Sequence, residues 1–488
     1  MYRKLKILLF ILIPLLGSSC QDWLELVPPD GLVKDEYWKT KEDIQATLMG
    51  AYQQIAKNDA TLFLWGELRA DMIVPDINAS SDYRDIMNGN IFPDNSLCNW
   101  HSFYRVITYC NSVLKYAPII YETDQTFSEY QLRGFEAEAI FLRSLTYFYL
   151  VRTFSDVPLV LEASESDNVD YFLPKSTAEE ILTQIKGDLL SVRQGVTEDY
   201  GTLEENKGRT TKAAINSLLA DIALWNFEYE DCISYVEAVE ADGFIPVPGA
   251  QWFDIYYPGN SLEGIFELQF DASLDQTNRT YNLTYFQRNF LASETAMDFL
   301  DPSRSTSKEI IRGDGSIRTL DLKIWKYAGA AGDGRTLRPG EDALSGNWIV
   351  YRMADLLLMK AEALSQIGRY DEALTNINEI RSKRLMLPVN PSQTAEAFED
   401  VILEERAREL AFEGKRWFDL LRMGRRNDFQ RKSKLIEIII QNVPSTQKLL
   451  LAIKLTNPWG WYLPIEQDEL ERNYKLIQNP YYAGYDTN

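Results

Sequence analysis

The sequence predicts a mainly α fold, in which helix pairs stack into a superhelical scaffold whose long irregular loops carry minor β structure. Apolar residues recur at helical spacing over most of the chain, and one hairpin pattern occurs twice. Two loop-rich stretches, Ala70 to Leu97 and Pro246 to Gly346, interrupt the helices.

The clearest hairpin runs from Val350 to Ile367, breaks at Gly368 and resumes from Tyr370 to Arg384. Met353, Leu356, Leu357, Ala361 and Leu364 share one face of its first half, and Tyr370, Ala373, Leu374, Ile377 and Ile380 one face of its second. The order Gly368, Tyr370, Ala373, Leu374 resembles a tetratricopeptide repeat, with a small residue where the helices approach and an aromatic at their crossing. A degenerate copy spans Leu218 to Ala238, with Tyr229 and Cys232 at the Tyr and Ala spacing. Further helices are expected over Lys41 to Lys57, Asn99 to Tyr116, Glu129 to Phe154, Ala178 to Arg193 and Ala395 to Met423. Such helices cannot bury their faces alone and must stack.

The N-terminus points to export. Arg3, Lys4 and Lys6 precede an apolar run from Ile7 to Leu16 and then Gly17, Ser18 and Ser19, the order of a secretory signal peptide. Pro14 breaks the run, which is shorter than the ~20 apolar residues of a membrane span, so it is read as cleaved. Cys20 follows where a bacterial lipoprotein signal places the cysteine that is lipidated, although Leu16 stands one position further from it than the usual spacing. Its acyl chains would supply a membrane anchor. Residues 1–19 are expected to be the signal peptide and 20–488 a single domain. Asp22 and Glu25 resemble the acidic signal that sends some lipoproteins to the cell surface.

A formal net charge of −22 argues against nucleic acid or anionic lipid as a partner. Basic runs such as Arg422 to Arg431 read as solvated helix faces. If Cys98 and Cys110 shared a helix they would lie about 18 Å apart, beyond disulfide reach, so they and Cys232 read as small buried hydrophobes. The one histidine, His101, reads as a partly buried hydrogen-bonding residue, which leaves no histidine-based catalysis or zinc site. Glu404, Glu405, Glu409 and Glu413 interleave with Arg406, Arg408 and Arg416, which suits ion pairing better than the raised pKa of a glycosidase acid. Asp76, Asn78, Ser80 and Asp82 alternate like a calcium loop, but Met87 stands where its closing glutamate belongs. No catalytic residue, metal or cofactor is expected. The sequons at Asn78, Asn278 and Asn282 carry no meaning in a bacterial lipoprotein.

Several segments together resemble the SusD/RagB family of outer-membrane nutrient-binding lipoproteins, partners of TonB-dependent channels. Cys20, Asp22, Leu24 and Pro28-Pro29 resemble its start; Glu136-Ala137-Glu138 through Phe141-Leu142-Arg143 to Asp156-Val157-Pro158-Leu159 resemble its long helix and exit turn. Gly208-Arg209, Lys212-Ala213-Ala214, Arg352 to Leu364, Glu404-Glu405-Arg406, Gly414-Lys415-Arg416 and Trp417-Phe418-Asp419-Leu420 fit later elements, and Leu463-Pro464-Ile465 with Gln478-Asn479-Pro480 fits the ending. Ser155 stands where a Gly is usual, Glu466 and Tyr474 where a Pro is, and Tyr481 where a Gly is.

The resemblance implies a surface-exposed lipoprotein, lipid-anchored in the outer membrane, that passes a nutrient to a SusC-like TonB-dependent transporter. It also implies a site built from the two loop regions. Sugar capture needs flat apolar faces for the C–H side of a pyranose and planar amide, carboxylate or guanidinium groups that fork to hydroxyls. The first region offers Asp71, Asp76, Asn78, Asp82, Tyr83, Arg84, Asn88 and Asn95, followed by Trp100; the second offers Trp252, Tyr256, Tyr257, Asn278, Tyr281, Asn282, Tyr285, Arg288, Trp325 and Arg335. Asp76, Asn78, Tyr83, Arg84, Asn95, Trp252, Tyr281 and Tyr285 are the candidate ligand contacts to an oligosaccharide or polysaccharide. The competing readings are a surface glycoside hydrolase on a helical scaffold and a tetratricopeptide-type protein-binding scaffold.

Overall fold

The computed structural model describes residues 38–163, 172–301, 311–327, 338 and 343–485. The expected signal peptide, Cys20, Asp22, Glu25 and Arg335 lie outside these residues. The described chain is mainly helical, with six short strands.

The N-terminal half opens with α1 (Lys41–Ala56), α2 (Asp59–Glu67) and α3 (Ser81–Met87), followed by α4 (His101–Thr123), α5 (Glu129–Phe154) and α6 (Ala178–Val192). Ile44, Leu48, Ala51 and Ile55 form one buried stripe on α1, which packs on α4; α4 packs on α5, and α5 on α6. A capping box of Ser128 and Gln131 starts α5, whose second half is buried all round, as a central helix must be. It ends at Ser155, whose φ of 67° explains why a Gly is expected there: that region costs an L side chain energy that glycine avoids.

Two hairpins follow as expected, α7 (Lys212–Trp225) with α8 (Tyr229–Ala241), and α9 (Met353–Gln366) with α10 (Tyr370–Lys383). α8 also packs on α9, so the pairs stack into a scaffold. Gly368 turns the second hairpin at φ 80°, and Ala373 and Cys232 are fully buried at the small-residue positions. The Tyr370 ring stacks on Phe398, at 5.1 Å between centroids, tying that hairpin to α11 (Ala395–Glu409).

Three boundaries differ from expectation. Val350 to Arg352 are not helical but end a strand, because the run Trp348–Arg352 is aromatic and β-branched and pairs with a neighbouring strand. The long helix expected from Ala395 to Met423 is two, α11 and α12 (Arg416–Phe429), parted around Gly414. Gly414 has φ 70° and meets Gly66 of α2 so closely that a Cβ on Gly66 would stand 1.8 Å from the Gly414 carbonyl oxygen. Helix α4 runs on through Pro118 to Thr123. The chain continues through α13 (Lys432–Ile439), α14 (Ser445–Leu455) and α15 (Gln467–Arg472).

The strands form two sheets. β2 (Gly264–Leu268) pairs antiparallel with β6 (Trp348–Arg352). β1 (Ile73–Pro75), β3 (Phe290–Ala292), β4 (Ile317–Arg318) and β5 (Lys323–Ile324) pair in the order β1-β3-β5-β4. Buried ion pairs fix both sheets to the helices. Arg352, at the end of β6, reaches Glu263, Glu409 and Glu413 at 2.6–2.8 Å; Arg312 reaches Glu405 and Glu409, and Lys326 reaches Glu413. Arg312 precedes β4 and Lys326 follows β5, so these pairs clamp that segment onto α11 and the turn after it. A buried cation is tolerated only where such partners stand around it.

Candidate functional site

The β1–β3 pairing brings the two loop regions together. Ile73 lies opposite Ala292 and Pro75 opposite Phe290, and the register continues into the turn as the Asp76 amide donates to the Asn289 carbonyl at 2.9 Å. The Asp76 carboxylate pairs with Arg288, and the Asn78 amide donates to the Gln287 carbonyl at 2.8 Å. Arg84 donates to the Asp76 carbonyl and, at 3.2 Å, to that of Ala79, which holds the turn against α3. The Tyr83 ring rests on Phe290 at 5.3 Å, and burial with the nearby Asp82 charge pushes its phenol up. Arg84 also lines a groove of about 350 Å³ with Val74, Pro75, Val443, Pro444 and Gln447.

Beside this turn stands an aromatic group on a short helix, Arg279–Tyr281, that runs into a π-helical turn, Asn282–Phe286. The Asp59 carboxylate anchors its start, accepting the amides of Arg279 and Thr280 at 2.7 and 2.9 Å. Burial pushes that carboxyl up to about 6, since its hydrogen-bond donors only partly offset its removal from water. The Tyr281 ring stacks on Tyr285 at 5.8 Å and on Phe286 at 6.4 Å, with interplanar angles of 21° and 27°. Tyr285 is buried, and its hydroxyl accepts from Arg318 at 2.7 Å while Lys323 lies 4.6 Å from its ring centroid. Phe286 is 72% exposed and Ile77 86%, so this end of the sheet presents flat apolar surface next to Asn78, Gln287 and Arg288.

One family model, described as "SusD family", matches residues 333–482, and another, described as "Starch-binding associating with outer membrane", matches residues 22–224. The chain belongs to the SusD family. A SusD-like protein, P38, from Formosa agariphila is 28% identical over 86% of this chain and 92% of its own length. Another from that organism, P2, is 26% identical over 98% of this chain and 99% of its own. A SusD superfamily structure from Bacteroides vulgatus superposes with a TM-score of 0.75 at 20% identity, over 91% of this chain and all of the other. A structure described as a laminarin-binding SusD-like protein gives a TM-score of 0.69 at 21% identity, over 91% and 100%.

Within this SusD-family fold the candidate residues divide. Asp76, Asn78, Tyr83, Arg84, Tyr281 and Tyr285 converge around β1 and β3. Trp252 does not: it is fully buried, with Arg384, Lys326 and Arg352 charge centres 4.8–5.6 Å from its ring and Gly315 packed against its indole nitrogen. It cannot stack on a ligand and serves as a core aromatic for the ion-pair cluster. Asn95 is buried too, and its amide is spent on the Leu97 amide and the Asp82 carbonyl, so it shapes the loop from within. Phe286 and Gln287 were not singled out by sequence, although their place directly after Tyr281 and Tyr285 was a usable signal.

The remaining polar groups are committed elsewhere. His101 is exposed, not partly buried, and lies 3.2 Å from Arg105 on α4. Of the acidic set, Glu404 pairs as the helical spacing suggested, with Arg408 at 3.3 Å, and Glu405 lies 3.8 Å from the same guanidinium. Glu405, Glu409 and Glu413 pair with arginines and a lysine from other elements. Burial pushes each of these three up, but the guanidiniums more than offset it and hold them below the ordinary carboxylate range. In the calcium-like turn, Asp76 faces Arg288, Ser80 caps α3, and Asp82 accepts from Ser96. Among the described residues no cluster of three or more His, Cys, Asp or Glu side chains converges as a metal site requires. Cys98, Cys110 and Cys232 are buried, and burial pushes the Cys110 thiol up to about 12.

Proposed function

We propose that this chain captures an oligosaccharide or polysaccharide and delivers it to a SusC-like TonB-dependent outer-membrane transporter. In this reading the protein is held in the outer membrane by lipid on Cys20, faces outward and performs no chemistry on its ligand. One observation carries the proposal: the part-exposed stack of Tyr281 and Phe286 stands beside amide and guanidinium groups of Asn78, Gln287 and Arg288, where the two loop regions meet. Stacked rings cover the C–H face of a pyranose, and planar groups fork to its hydroxyls. Binding would be modest, because hydroxyls exchange water hydrogen bonds for protein ones at little net gain.

A glycosidase acid needs a raised pKa, whereas Glu405, Glu409 and Glu413 are held below the ordinary carboxylate range by the cations around them. One apolar core running from Ile44 to Tyr482 supports reading residues 20–488 as a single domain. The laminarin-binding protein of similar fold makes laminarin the first ligand to try. Calorimetric titration against a glycan panel should give binding for one class with no new reducing ends. Reducing-end release overturns the non-catalytic reading, and silence across the panel overturns glycan capture. Palmitate labelling lost in Cys20→Ala, together with copurification of a large barrel protein from native membranes, tests the anchor and the partner.

A further inference from the structure

We propose a second carbohydrate subsite, at the cavity between the start of α4 and the C-terminal tail, which takes one pyranose further along the same polysaccharide. The inference rests on the glycan-binding reading above. The cavity has a volume of about 240 Å³ and is floored by Trp100 and Tyr104 of the α4 start. That lies below the ~300–1,000 Å³ of sites for drug-sized ligands, so it suits one ring.

Its rim is aromatic and exposed. Phe172, 41% exposed, lines the cavity, and Tyr474, 75% exposed, packs on it from outside the lining, with ring centroids 5.4 Å apart at 52°. Exposed rings at a cavity mouth leave large apolar area in water, an arrangement that a sugar's C–H face would relieve. Glu469 and Arg472, 3.3 Å apart, add a carboxylate and a guanidinium to the same cavity, the planar groups that fork to adjacent hydroxyls. The backbone beneath is fixed, since Asn473 donates to the Leu173 carbonyl at 2.8 Å.

The two sites are joined by one short loop. Asn95 donates to the Asp82 carbonyl on the side of Tyr83 and Arg84. The Gln467 amide donates to the Pro93 carbonyl, and the Asn99 amide forks to both oxygens of Glu466, on the side of Glu469. Phe92, 47% exposed, lies on that loop between them. An extended glycan leaving the first site over this loop would reach the second, and a short fragment would fill only the first.

The test compares the full mature chain with Phe172→Ala/Tyr474→Ala, titrating each with a polysaccharide that the wild-type protein binds and with its shortest bound fragment. Loss of both exposed rings predicts a roughly five- to 160-fold weaker affinity for the polysaccharide. Fragment affinity should not change, and thermal melting should stay at the wild-type value. Equal affinity of wild-type and variant for the polysaccharide overturns the second subsite and leaves the first standing. Equal losses for fragment and polysaccharide also overturn it. A wild-type protein that binds no glycan overturns the underlying reading instead.

Discussion

Glu409→Gln tests the claim that buried ion pairs clamp the β4–β5 segment to the helices. Glu409 is fully buried and pairs with Arg312, Arg352 and Arg384 at 2.9, 2.7 and 2.8 Å. The amide keeps the shape and one acceptor but leaves three buried guanidiniums short of a counter-charge. Removing one partner of a buried pair costs about 3–5 kcal/mol. With an unfolding entropy of about 2.1 cal/mol/K per residue, a 488-residue chain has a transition entropy of order 1 kcal/mol/K, so Tm at pH 7 should fall by about 3–5 °C. The pH dependence has a definite sign. The folded-state carboxyl lies well below its ordinary value, so its stabilisation is present above about pH 4 and is lost as pH falls through the folded value. The gap between wild type and variant should therefore narrow on acidification below about pH 4. Scanning calorimetry reads both effects, with Glu404→Gln as control, because Glu404 is exposed and its pair with Arg408 adds little. A Glu409→Gln protein melting within about 1 °C of wild type at pH 7, or no worse than the control, would refute the reasoning.

Three further outcomes follow from the same geometry. Glu67→Gln should raise Tm at pH 8 and leave it unchanged near pH 4: burial pushes Glu67 up to about 8, so the folded state holds a proton that the unfolded chain sheds above about 4.3, and wild-type stability falls across that window. A parallel Tm–pH profile for the two proteins would rule this out. Phe286→Ala should weaken binding of the recognised glycan by about two- to tenfold, measured calorimetrically, with Tm unchanged because the ring is exposed. Trp252→Leu should do the reverse, lowering Tm by leaving a void among the buried cations while sparing most of the affinity; an affinity loss larger than that of Phe286→Ala would contradict its core assignment.

Much of the scaffold was legible because helical periodicity is a local signal. The stripes on α1, α9 and α10 and the small residues Ala373 and Cys232 all follow from spacings of three and four. The break between α11 and α12 was not, because Gly414 turns there to meet Gly66, a residue nearly 350 positions away. The strand Trp348–Arg352 was missed for a similar reason, since a short apolar run before a helix shows no period that separates strand from helix. For the site, residue type located the right loops but not which side chains face outward. Trp252 and Phe286 have similar apolar character, yet one is enclosed by arginines and the other stands in solvent.

The amino-acid order alone determined the class of scaffold, the absence of histidine chemistry at more than one position, the acidic surface and the family resemblance, because each depends on composition or on neighbours a few residues apart. Tertiary structure alone decided that the turn at Asp76–Asn78 meets Gln287–Arg288, and that the acids of α11 are neutralised by Arg312, Arg352 and Arg384. Those pairings join residues separated by up to about two hundred positions, and the free energy that selects them comes from packing the whole core, so no local pattern encodes them.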